Sequence, residues 1–123
     1  MSAQRAKGVD VFGELRDALR RFAAERDWDQ FHSPKNLAIA LSVEASELLE
    51  RFQWLTEEES QSLQTADRSR VEEEMADVLL YLIRLADKLD VDVAAAARKK
   101  MKMNAEKYPI EKAKGIRKKY TEL

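Results

Sequence analysis

Cysteine is absent from this 123-residue chain, so neither a disulfide nor a thiolate metal site is open to it. Histidine occurs once, at His32, outside any Glu-x-x-His pair of the kind that builds ferritin-like di-iron sites. Glycine and proline are scarce, three and two residues, and no glycine-rich P-loop signature is present. No apolar run approaches the roughly 18 residues that span a bilayer. The N-terminal stretch MSAQRAKG has none of the apolar character of a signal peptide. An excess of either charge is missing too, because 22 basic and 23 acidic side chains leave a formal −1. That balance gives no broad drive toward nucleic acid or a membrane surface. We therefore expect one cytoplasmic domain, residues 1–123, with neither nucleic acid nor membrane as a partner.

What the chain does have is Ala, Leu, Glu, Lys and Arg in abundance, a helix-forming composition. Residues 1–9 read as a flexible N-terminus. Val11, Leu15, Leu19 and Phe22 recur at helical spacing over about Asp10 to Asp27. An irregular connection follows, and Ser33-Pro34 opens a second helix as N-cap and first-turn proline. Its stripe is Leu37, Leu41, Leu48 and Leu55. Thr56 to Asp67 reads as a loop with at most a short helical turn. Ser69 and Glu72 fit a capping box for a third helix that runs to about Leu89. Asp90 or Asp92 can cap a fourth, which ends at Tyr108-Pro109. Residues 110–123 form a basic C-terminal tail. The expected fold is all-α and four-helix-bundle-like. On the third helix Val78, Leu82, Leu85 and Leu89 make one apolar face, while Leu79, Leu80 and Ile83 spread apolar groups over the others. Such a helix needs cover on nearly all sides, which points to an oligomer.

Two acidic pairs break these apolar patterns. Glu44 and Glu47 lie in the second helix, and Glu74 and Asp77 in the third. A three-residue spacing turns both carboxylates of a pair the same way. Glu44 falls inside the leucine stripe, and Glu74 sits at the edge of the Val71–Val78 face. Burying a bare carboxylate costs several kcal/mol or more, so four brought together call for a cation. The bland alternative is that these acids only border the core, with first-turn acids favoured by the helix dipole. An oxygen-only donor set suits Mg²⁺ or Mn²⁺. A Mg²⁺ site on a helical frame without a P-loop suggests hydrolysis at the phosphates of a nucleotide.

The remaining chemistry-bearing residues each carry two readings. Trp28 and Trp54 can stack on a base or plug gaps between helices. His32 and Asn36 can bond a base, sugar or phosphate, or serve as polar groups near the helix start. Tyr81, one turn beyond Asp77, can pack by a ligand or fill the bundle. Lys100, Asn104 and Lys107 share a helix face next to Tyr108. They can meet phosphate charge or simply suit the helix C-terminus.

The spacing Glu44-x-x-Glu47, 26 residues (48 to 73), then Glu74-x-x-Asp77 resembles that of the MazG-like all-α nucleoside triphosphate pyrophosphohydrolases. The segments FAAERDWDQFHSPKNL from Phe22, ELLERFQW from Glu47, KMKMNAEKYP from Lys100 and RKKYTEL from Arg117 look like the dCTP pyrophosphatase subgroup. The resemblance covers nearly everything from Val11 onward. It implies a helical bundle assembled as a homodimer or as a homotetramer (dimer of dimers). It also implies Mg²⁺-dependent hydrolysis of a (deoxy)nucleoside triphosphate, dCTP or a modified dCTP first, to the monophosphate and pyrophosphate. Such an activity would sanitise the nucleotide pool. Glu44, Glu47, Glu74 and Asp77 match the metal-binding acids, with Mn²⁺ as a substitute ion. Glu47 or Glu50 would handle the attacking water. The resemblance favours substrate contact for Trp28. A non-catalytic helical interaction or oligomerisation module is the reading from a different class.

Overall fold

A computed structural model of the chain describes residues 10–123, and the expected flexible segment 1–9 lies outside them. Every regular element among the described residues is helical. The helices group into two compact units, one reaching to Asp90 and the other Val91–Leu123.

The first unit holds α1 (Val11–Glu25), α2 (Pro34–Glu50), α3 (Glu57–Gln61) and α4 (Thr65–Lys88). Asp10 caps α1 by accepting from the Gly13 amide at 2.9 Å. A side chain at position 13 would meet that carboxylate at 2.3 Å, so the cap requires glycine there. Helix α1 closes with Asp27 in the left-handed region at φ 55°. The Asp27 and Trp28 amides return to the Ala24 and Ala23 carbonyls, the Schellman pattern. This tight reversal, followed by a 3-10 turn at Asp29–Phe31, sets Trp28 and His32 between α1 and α2. Ser33 caps α2 through the Asn36 amide with Pro34 at the helix start, as the sequence leads one to expect.

The short helical turn allowed for after α2 is α3, opened by a reciprocal capping box between Thr56 and Glu59. One boundary differs from the sequence reading. Helix α4 starts at Thr65, so Ser69 and Glu72 lie inside it and form no capping box; Gln64 occupies the N-cap without a side-chain bond. No glycine or proline separates Thr65 from Ser69, so nothing stops the helix from growing back to the turn at Gln64.

Helix α4 packs on both α2 and α1, most extensively on α2. Its buried residues are Val71, Ile83, Arg84 and Ala86. Of the apolar face Val78, Leu82, Leu85 and Leu89, Val78 and Leu85 are half-buried while Leu82 and Leu89 are exposed. Because this helix is apolar nearly all round, periodicity alone does not say which arc meets the neighbours. Leu37 and Ala23 complete a small core. Truncating Leu37 to Ala should cost about 2–5 kcal/mol. Ile39 and Val43 on α2, and Met75, Leu79 and Leu82 on α4, remain exposed apolar residues at helical spacing.

In the second unit Asp92, not Asp90, caps α5 (Val93–Lys107) through the Ala95 amide. The expected basic tail is partly ordered. It forms α6 (Ile110–Ala113) and a 3-10 turn at Tyr120–Glu122. The Tyr120 ring meets Tyr108 edge to face at 6.1 Å and lies 4.9 Å from Lys107 Nζ.

Candidate functional site

Packing α2 on α4 brings the acidic pairs together. One carboxylate oxygen each of Glu44, Glu74 and Asp77 lies within 4.8 Å of the other two. Glu44 and Glu74 are half-buried and Asp77 is exposed. Among the described residues, Glu44 Oε2 and Glu74 Oε2 are buried atoms without a hydrogen-bond partner. Orphaned acceptors of this kind are costly unless something else satisfies them. Burial pushes the Glu44 carboxyl up to about 7, helped by the hydrogen bond its protonated form donates to Glu47 and by the charges of Glu47, Asp77 and Glu74. Glu74 is also raised, first by burial and then by the charge of Glu47. Arg51, at 3.7 Å from Glu74, opposes this only in part. The cluster thus holds negative charge against its own repulsion, the condition under which a cation binds well. Three converging carboxylates, two of which also carry a buried oxygen without a partner, fit a divalent ion of the Mg²⁺ or Mn²⁺ type. Glu47 is half-buried beside this trio and bears on both of its glutamates. Glu50 is exposed at the end of α2.

Asp77 also borders a cavity of about 420 Å³, within the size range of small-molecule sites. Leu15, Ala18, Leu19 and Phe22 of α1 form one wall of it, so the apolar stripe of that helix partly lines a void instead of filling a core. Trp28 and His32 come from the connecting turn, and Leu80, Tyr81 and Arg84 from α4. Trp28 stands edge to face with Phe22 at 5.6 Å and with His32 at 6.4 Å. The result is an aromatic, mostly apolar space with a few polar groups, opening beside an acid cluster.

A cationic network that the sequence reading missed supports the cavity. Arg84 is 5% exposed. Its Nε donates to His32 Nδ1 at 3.1 Å, and its terminal nitrogens pair with Asp29 and Asp87. Arg20 of α1 holds Asp87 with Nε at 2.8 Å, and Lys88 holds Asp29 at 2.9 Å. A lone cation inside the apolar run from Val78 to Ala86 was the signal available for Arg84. It is the same kind of interruption that singles out the acids.

Of the residues expected at the site, the structure gathers Glu44, Glu47, Glu74, Asp77, Tyr81, Trp28 and His32 around the cluster and the cavity. Asn36 does not line the cavity; its side-chain amide donates to the Phe31 carbonyl at 3.1 Å and ties the turn to α2. Trp54 does not line it either and is 86% exposed after α2. Lys100, Asn104, Lys107 and Tyr108 belong to α5 and its C-terminal end, in the second unit.

Comparison with known proteins bears on this arrangement. The MazG-like family profile matches residues 39–123. Over 112 residues the chain is 45% identical to dCTP pyrophosphatase 1 of Homo sapiens and 44% identical to that of Rattus norvegicus. Each match covers 89% of this chain and 66% of the relative, so the chain spans just under two thirds of their length. The crystal structure of a pyrophosphatase from Archaeoglobus fulgidus superposes with a TM-score of 0.77 at 42% identity, covering 82% of this chain and 94% of that one. No helix among the described residues is long and apolar enough to cross a membrane.

Proposed function

The chain belongs to the MazG-like family, and from that premise we propose that it hydrolyses nucleoside triphosphates to the monophosphate and pyrophosphate. The observation that carries the proposal is the junction at Asp77. There a carboxylate cluster with two orphaned buried oxygens adjoins an aromatic cavity of nucleoside size. The first candidate substrate is dCTP or a modified dCTP, in keeping with the names of the relatives. The role would be removal of unwanted nucleotides from the cytoplasmic pool.

In this reading Glu44, Glu74 and Asp77 hold Mg²⁺, with Mn²⁺ as a substitute, and Glu47 completes the acidic ring. When bound, the ion neutralises phosphate charge and supplies a Lewis acid. Glu47 accepts a proton from the water that attacks the α-phosphorus. The bond from that phosphorus to the bridging oxygen breaks, and pyrophosphate leaves with the electron pair. Glu50 is the competing candidate for the proton, and comparing Glu47→Gln with Glu50→Gln separates the two. The base enters between Trp28 and the α1 wall, where stacking on an aromatic is worth about 1–3 kcal/mol.

We also propose that residues 1–123 act as one domain in a homodimer or a dimer of dimers. The exposed rows Ile39–Val43 and Met75–Leu79–Leu82 support this, because apolar rows of that length are normally covered. The test of function is a panel of dNTPs with Mg²⁺, followed by release of pyrophosphate and monophosphate. Turnover led by dCTP is the expected outcome. No release with Mg²⁺ or Mn²⁺ would reject the enzyme reading in favour of a helical interaction module. Sedimentation at micromolar concentration tests the assembly, and a stable monomer would reject it.

A further inference from the structure

Arg84 lines the cavity, yet its hydrogen bonds run to the protein. Nε goes to His32 Nδ1, one terminal nitrogen to Asp87 at 3.4 Å and the other to Asp29. A guanidinium has donors and no acceptor and stays protonated in proteins. Its partner nitrogen on His32 must therefore be the one without a proton. We propose that Arg84 is a positioning residue that locks His32 as the neutral Nε2–H tautomer, so that the cavity offers the nucleobase a fixed donor and selects a base edge carrying an acceptor. The proposal rests on the nucleotide reading of the cavity and adds the polarity of one contact within it.

The surroundings agree. Burial and the charge of Arg84 hold the His32 ring below its ordinary range, which favours the neutral form. Trp28 stands against the imidazole edge to face, at 66° between planes. Asp29 and Asp87 in turn hold the guanidinium, with Lys88 and Arg20 balancing them. With Nδ1 taken, Nε2 is the ring nitrogen left for a ligand. An N–H there pairs with a carbonyl oxygen or an unprotonated ring nitrogen and repels an exocyclic amine. On cytosine the groups that qualify are O2 and N3.

Because His32 is the one histidine in the chain, its ring nitrogens can be read without ambiguity. The experiment labels histidine with ¹⁵N and records the imidazole spectrum of the full chain without substrate. A protonated Nε2 and a bare Nδ1 are expected, whereas a protonated Nδ1 overturns the proposal. In Arg84→Met the two signals should move toward a mixture of tautomers. KM for dCTP should then rise roughly three- to tenfold, as for loss of one neutral hydrogen bond, with kcat within about twofold. Arg84→Lys, which keeps a charged donor, should recover part of the KM. A raised KM with an unchanged tautomer would mean that Arg84 meets the substrate itself, and that also overturns the proposal. If Arg84→Met does not fold, the wild-type protein decides. An aniline C-nucleoside triphosphate keeps the amine but lacks O2 and N3, and should show a similar KM penalty against dCTP; equal KM values refute the donor contact. A protein that cleaves no triphosphate at all fails the proposed function, while the ring spectrum still judges the Arg84–His32 lock.

Discussion

Helix α4 carries two charged regions that are built in opposite ways. Toward its N-terminal half, Glu74 and Asp77 face Glu44 and Glu47, and Arg51 reaches only Glu74, at 3.7 Å. Toward its C-terminal half, Arg84, Asp87 and Lys88 alternate in sign with Arg20 and Asp29. The first region leaves buried oxygens without partners, and the second satisfies its charges internally. The difference separates binding from support. Charges that cancel within the fold hold it together, and charges that do not are kept for something that arrives later. The cavity lies between the two, bordered by Asp77 from one and by Arg84 from the other.

Neutralising one acid in each region breaks the comparison most sharply. Asp77→Asn or Glu74→Gln should lower Mg²⁺-dependent turnover on the order of 100-fold or more, since a metal ligand contributes several kcal/mol to the transition state. The same changes should leave the melting temperature of the metal-free protein unchanged or higher, because they relieve repulsion. Asp87→Asn should do the reverse, lowering the melting temperature and affecting turnover far less. Steady-state kinetics and thermal melts on the three variants decide. A metal-free protein destabilised by Asp77→Asn would show that the acid cluster is structural.

Removing the centre of the paired region comes next in size. Arg84→Met strips a partner from Asp87, whose side chain is 8% exposed. Breaking a buried pair costs about 3–5 kcal/mol, and the low end applies here because Arg20 still holds Asp87. Chemical denaturation should show that loss as a lower midpoint with an unchanged slope.

How much of this could be read from the residues depended on what each one interrupts. Glu44 was legible because a carboxylate inside a leucine stripe violates a pattern, Glu47 because it flanks that stripe, and the Glu74–Asp77 pair because it lies at the edge of another. Arg84 violates the next stretch of the same helix in the same way, but cations at helical spacing draw less suspicion, and its partners His32 and Asp29 are more than 50 residues distant. The α1 stripe was visible as apolar, yet only tertiary packing makes Leu15, Leu19 and Phe22 a cavity wall instead of core. The onset of α4 was misplaced because Gln64 caps with its backbone conformation alone and leaves no side-chain signature.

The two regions should also answer pH in opposite directions, with a smaller effect. Glu44 titrates near 7 in the folded chain, above its ordinary value. Stability linked to it is therefore fully present below the ordinary carboxyl range and is lost as pH rises through about 7. Asp87 and Asp29 are held below their ordinary range, chiefly by hydrogen bonds from Arg20 and Lys88 respectively. Their contribution is present above that range and is lost as pH falls through their lowered values. Metal-free melts across pH should peak on the mildly acidic side. Mg²⁺ should lift the alkaline limb specifically, because it replaces the protons that the acid cluster otherwise needs. Glu44→Gln should flatten that limb and leave the acidic one in place.

The smallest effect tests whether the paired region acts through its buried members alone. Lys88 touches the network only through Asp29, which is half exposed, and its own ammonium keeps contact with water. Exposed ion pairs gain little, because solvent screens them and ordering two side chains costs entropy. Lys88→Ala should therefore leave the melting temperature and the KM for dCTP unresolved from wild type, even though it removes a bond of 2.9 Å. The imidazole spectrum should stay on the Nε2–H tautomer, since Arg84 retains both Asp29 and Asp87. A shift of that spectrum in Lys88→Ala would mean that the outer charge helps to orient Arg84, and the boundary between support and binding would then reach the surface of α4.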